Sequence, residues 1–85
     1  MNYDNKVTGM VIKNLRQEKG ITQEVVSGLA NIPRSHLAMI ENGQISPKVD
    51  TLWRIAEALK MPLSDIILLV ENSLCKHNHA IRILN

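Results

Sequence analysis

Aromatic side chains are almost missing from this 85-residue sequence: Tyr3 and Trp53 are the full complement, 2% of residues, and there is no phenylalanine. Any core must therefore be aliphatic, built from Leu, Ile, Val, Ala and Met. Cysteine is equally scarce. The single thiol, Cys75, excludes a disulfide framework within one chain and fits a reducing compartment. Long apolar runs are absent, since Ile66-Ile67-Leu68-Leu69-Val70 falls far short of the ~20 residues that span a bilayer. The opening Met1-Asn2-Tyr3-Asp4-Asn5-Lys6 lacks the apolar stretch of a secretory signal. These absences predict a cytoplasmic protein with no membrane partner. A large excess of one charge is also missing. The formal net charge is +2, with no polybasic tail, so any anionic partner must be held by few cations aided by backbone N–H groups.

What is present reads as helix. Hydrophobic residues make up 45% of the chain, within the globular range, and the length suits one small domain that oligomerisation would stabilise further. Apolar residues recur at helical spacing between well-placed breaks. A first helix is predicted from about Lys6 to Lys19, with Val7, Val11, Ile12 and Leu15 as its stripe and Gly20 just past its end. Thr22 caps a second, with Glu24 in its first turn and Val25, Val26, Leu29 and Ala30 facing inward. Asn31 tolerates the left-handed turn that ends it. Pro33 opens a third helix, with Leu37 and Ile40 inward and a stop at Asn42-Gly43. A fourth covers about Val49 to Leu59, burying Val49, Leu52, Ile55, Ala56 and Leu59. Pro62 opens a fifth, with Leu63, Ile66, Ile67 and Val70 inward or at an interface.

The last residues read two ways. Ile67, Val70, Leu74, His77, Ile81 and Leu84 suit a helix with a partner seam, whereas Ala80-Ile81-Arg82-Ile83-Leu84 suits a short strand. Asn72, Ser73 and Asn78 weaken the helical alternative, and a break after about Leu74 is preferred. The division is thus a domain over residues 1–71 and a tail of uncertain structure over residues 72–85, a candidate for dimerisation.

The second and third helices carry the functional signal. They are short and joined by a tight turn whose Ile32 anchors in the core. Ser27 and Gly28 are small enough for a steep, close helix crossing. The outer face of the third helix presents Arg34, Ser35, Ala38 and Met39, none needed for the core. Cys75-x-His77-x-His79 matches no common zinc spacing, and no fourth ligand is evident, so neither metal nor cofactor is expected. No nucleophile–base grouping or glycine-rich phosphate loop suggests an enzyme. Trp53 is expected at the edge of the core or as an interface anchor, and Lys13 and Lys48 at the surface.

Three stretches resemble the XRE/Cro/C1-type helix-turn-helix family: Ile12 through Glu24, Ala30 through Gly43, and Ser46-Pro47 followed by Asp50-Thr51-Leu52 and Ile55-Ala56-Glu57-Ala58-Leu59. The resemblance implies an all-α, compact five-helix lambda-repressor-like domain that binds double-stranded DNA as a homodimer. It implies base contacts by Arg34, Ser35 and Met39: the arginine to guanine O6 and N7, the methionine to a thymine methyl. Thr22, Gln23, His36, Asn42 and Gln44 would meet phosphates, with the Gly43 and Gln44 backbone completing a clamp. Arg16 and Glu41 match a structural salt bridge. The sequence departs from the family at Pro33, which replaces a Ser or Thr cap, at Asn31 and Lys60, where glycine is usual, and at Ser27, where alanine is.

The expected function is a transcriptional regulator, a repressor rather than an activator, placing the third helix (about Pro33 to Asn42) in the major groove of a palindromic operator. The alternative is an antitoxin or protein-interaction module. The expected dimer surface is Leu63, Ile67, Val70, Leu74, Ile81 and Leu84, which offer more apolar area than one small core needs.

Overall fold

Asp4 starts the first helix by accepting the Lys6 N–H on Oδ1 at 2.9 Å. In the computed structural model, which describes the backbone of residues 2–84 and the side chains of residues 2–75, five helices follow: α1 (Asn5–Glu18), α2 (Gln23–Ala30), α3 (Arg34–Glu41), α4 (Val49–Ala58) and α5 (Leu63–Leu84). No strand occurs among the described residues. Pro33 and Pro62 each sit one residue ahead of the helix they precede rather than inside it.

The core takes side chains from every helix: Ile12 from α1, Val26 and Ala30 from α2, Leu37 and Ile40 from α3, Ile55 and Ala56 from α4, Ile66 and Val70 from α5. α1 packs on α3 and α5, while α2 is held between α3 and α4. Gly9 makes the α1–α3 approach possible. A Cβ there would stand 2.6 Å from the Glu41 carbonyl oxygen and closer still to that of Ile40. Backbone cannot swing aside as a side-chain tip can, so only glycine fits.

Several side chains expected inside are outside. Val25 is half exposed, Leu29 is 65% exposed and Val49 71%. The reason is the width of the buried stripe. α2 has two turns, and both of its neighbours cover the strip of Val26, Ser27 and Ala30; Val25 and Leu29, one turn apart, form the next row and face outward. Val49 is the first residue of α4 and lies ahead of the packed segment. Trp53, expected at the core edge, is 58% exposed in a shallow groove with Ala56, Met61 and Leu63. Ser27 is buried at the helix crossing as expected, but Gly28 is exposed and a Cβ on it would meet nothing within 4 Å.

The preferred break after Leu74 does not occur, for α5 continues to Leu84. Ser73, counted as a helix weakener, satisfies its hydroxyl inside the helix by donating to the Leu69 carbonyl at 2.9 Å. Val70, expected at a dimer surface, is 4% exposed and belongs to the monomer core. Leu63 and Leu74 lean partly on that core, whereas Ile67, Leu68 and Leu69 are open. The side chains of Ile81 and Leu84 lie outside the described residues, as do those of His77 and His79.

Candidate nucleic-acid interface

Two helices and a three-residue turn build the surface of interest. Thr22 has extended backbone, and its Oγ1 accepts the Val25 N–H at 3.2 Å, opening α2. Asn31 ends α2 in the left-handed conformation (φ 56°, ψ 48°), which lets the Ile32 N–H return to the Ser27 carbonyl at 3.0 Å. Ile32 then drops half-buried against the core, anchoring the turn. Pro33, at φ −61° and ψ 144°, redirects the chain and gives α3 no side-chain cap. Its carbonyl nonetheless accepts the His36 N–H at 3.0 Å, so the helix closes without one.

α3 divides cleanly. Leu37 and Ile40 are fully buried. Arg34 and Ser35 are exposed, and Met39, one turn after Ser35, is 41% exposed in the same row. Ala38 and His36 are half-buried beside them. The three expected base readers therefore share one outward face. Arg34 has no carboxylate partner among the described residues, leaving its charge available.

The end of α3 differs from expectation. Gly43 is left-handed at φ 75°. The N–H groups of Asn42, Gly43 and Gln44 donate to the carbonyls of Ala38, Ile40 and Met39 at 3.0, 3.1 and 2.9 Å. These amides close the helix, so the expected backbone clamp is already engaged internally. The side chains of Asn42 and Gln44 are exposed and remain as donors.

A polar network fixes the reader from behind. Arg16 meets the Glu41 carboxylate with both prongs, Nε to Oε2 at 2.8 Å and Nη2 to Oε1 at 3.1 Å. Its Nη1 donates to the Ile21 carbonyl at 2.9 Å. Gln23 joins by donating from Nε2 to Glu41 Oε1 at 3.0 Å. The pair expected to be structural is therefore structural, tying α1, the α1–α2 turn and α3 together. Gln23, expected at a phosphate, is half-buried with one amide hydrogen on Glu41 and its second hydrogen still free to donate.

Arg54 was not singled out in the sequence. Its Nη1 donates to the carbonyls of Ala30 and Asn31, both at 3.2 Å, and its Nη2 stands 3.7 Å from Asp50. It closes the last carbonyls of α2 at the turn into α3. An arginine one residue after Trp53 on a mostly polar face gave no signal for a partner on another helix. Among the described residues, no group of three metal-ligating side chains assembles, and no helix is long and apolar enough to cross a membrane.

A short helix capped by threonine, a left-handed turn and a second helix with a solvent-facing row define a helix-turn-helix. The profile of the helix-turn-helix family matches residues 12–66, and the chain belongs to this family, in its XRE/Cro/C1 branch of DNA-binding transcriptional regulators. It is 38% identical over 72 residues to the immunity repressor protein of Bacillus phage phi105, covering 85% of this chain and 49% of the repressor. It is 39% identical over 54 residues to the uncharacterized HTH-type transcriptional regulator y4dJ of Sinorhizobium fredii, covering 64% of this chain and 70% of that protein. The crystal structure of the restriction-modification controller protein C.AhdI from Aeromonas hydrophila superposes with a TM-score of 0.71 at 26% identity, covering 73% of this chain and 94% of the controller. The chain thus spans about half of the phage repressor's length.

Proposed function

We propose that this protein is a sequence-specific repressor of transcription that binds a palindromic operator as a homodimer, with α3 in the major groove. The observation that carries the reading is the division of α3: Leu37 and Ile40 are sealed in the core while Arg34, Ser35 and Met39 stand together in solvent. Such a face has no role in the fold. Its chemistry suits base edges, with a guanidinium for the paired acceptors of guanine, a hydroxyl for either donor or acceptor, and an apolar chain for a thymine methyl. Thr22, Gln23, His36, Asn42 and Gln44 flank this face as the phosphate contacts that set register. The immunity repressor among its relatives supports repression over activation.

Two copies would set their α3 helices about 34 Å apart, one DNA turn. For the dimer we assign α5, with Ile67 as the most accessible of the expected residues whose side chains are described and Leu63 and Leu74 beside it. Val70 is removed from that surface by its burial. Ile81 and Leu84 extend the same helix.

Binding-site selection from random duplexes, followed by footprinting, tests the reading. The expected result is an inverted repeat with half-sites one turn apart, occupied by a dimer. Enrichment of no sequence, or of an asymmetric site bound by a monomer, would overturn it.

A further inference from the structure

We infer that Lys6, in the first turn of α1, is a contact for a DNA phosphate at the end of the recognition helix. The inference rests on the DNA-binding reading above and adds a residue that neither sequence reasoning nor the family resemblance assigned. Its starting point is the corner formed by Asn42, Gly43 and Gln44. Every backbone N–H there is engaged in closing α3, and the carbonyl end of a helix carries partial negative charge. A phosphate arriving at this corner needs a cation that α3 does not supply.

Lys6 is the cation the fold brings there. A Cβ on Gly43 would stand 2.7 Å from Lys6 Cγ, 2.9 Å from its Cα and 3.2 Å from its Cβ, so the stem of Lys6 lies directly on Gly43. The absence of a side chain at Gly43 is what admits it. The position of Lys6 is fixed on three sides. Asp4 Oδ1 holds its N–H, and Gly9, one turn on, seats α1 against the last carbonyls of α3. Tyr3 Oη bonds the buried Thr8 Oγ1 at 2.8 Å, holding the preceding chain against the same helix.

Lys6 is exposed and pairs with no carboxylate among the described residues. Glu41 is occupied by Arg16 and Gln23, and Asp4 is engaged as the helix cap. The ammonium is therefore without a carboxylate partner among the described residues, and its stem lies on Gly43, whose chain neighbours Asn42 and Gln44 are both exposed. Together these three would form a side-chain clamp in place of the engaged backbone amides. An ordinary alternative exists for Lys6, which is to cap the free carbonyls at the end of α3. That role acts on stability, whereas a phosphate contact acts on the salt dependence of binding.

The experiment measures affinity for the selected operator against salt concentration, for wild type, Lys6→Gln, Lys6→Arg and Arg34→Ala, with thermal melts of each. A phosphate contact predicts that Lys6→Gln, which removes one such contact from each half of the dimer, flattens the slope of log affinity against log salt by about 1.8 and weakens operator binding about 30-fold at about 0.15 M salt, uniformly across sequences. Lys6→Arg keeps the wild-type slope, and the melting temperature of Lys6→Gln stays near wild type. An unchanged slope in Lys6→Gln, with Arg34-dependent binding intact, overturns this inference alone. A lowered melting temperature with unchanged slope also overturns it and assigns Lys6 to capping. Wild-type protein with no salt-sensitive affinity for any duplex would overturn the DNA-binding reading itself.

Discussion

Arg16 and Glu41, on different helices, meet as a two-pronged pair with the carboxylate side chain only 1% exposed and the guanidinium 12%. Removing one member leaves a buried charge without its partner. Arg16→Ala should therefore destabilise the fold by about 3–5 kcal/mol, while replacing both by apolar residues of similar size should restore much of the loss. Urea melts of the single and double variants check this. A double variant as unstable as Arg16→Ala would mean that the carboxylate's remaining bonds matter more than the pair.

Gly9 and Gly28 should respond to alanine with opposite signs. At Gly9 the added methyl strikes the carbonyls of Ile40 and Glu41, an overpacking that costs about 1–3 kcal/mol and loosens α1 from α3. At Gly28, in the last turn of α2, the methyl meets nothing within 4 Å and the helix gains about 0.5–1 kcal/mol. Paired thermal melts decide, and the same sign at both positions would contradict the α1–α3 geometry.

Much of this was legible in the sequence because helix ends are local events. Thr22, Asn31, Gly20 and Gly43 are read correctly from their own preferences, and the outward position of Arg34, Ser35 and Met39 follows once α3 is placed. The inner faces were harder. An eight-residue helix has too few turns for periodicity to choose between adjacent rows, so Val25 and Leu29 were read inward and lie outward. Contacts between distant residues left no trace in spacing: Gly9 on the α3 carbonyls, Arg54 on the end of α2, and Lys6 on Gly43. Val70 was misplaced because a stripe that packs a core and a stripe that packs a partner look alike in sequence.

Lys60 ends α4 with φ 57°, a left-handed conformation in which a side chain costs energy and glycine does not. Lys60→Gly should raise stability by about 1 kcal/mol and leave DNA affinity unchanged, since the residue lies in the α4–α5 turn whereas α3 packs on α1 and α2. A lower denaturation midpoint would show that the lysine side chain contributes more than its backbone strain removes.

Arg54 should couple stability to recognition modestly. Arg54→Ala frees the carbonyls of Ala30 and Asn31 and should cost about 0.5–1.5 kcal/mol, a range set by the partial exposure of the pair. Because those carbonyls lie at the turn into α3, hydrogen exchange should accelerate at Ile32 and Leu37, whose N–H groups bond the Ser27 and Pro33 carbonyls, more than in α1. Uniform acceleration across all helices would place Arg54 in general packing instead.

The most direct test of the account is a comparison of wild type and Arg34→Ala on the selected operator and on operators altered one base pair at a time. The account predicts that Arg34→Ala loses about 1–3 kcal/mol of binding per half-site and, with it, discrimination at one G·C pair in each half-site, while the other positions keep their preferences. Undiminished affinity, or full discrimination at every position without the arginine, would contradict α3 as the element that reads the sequence.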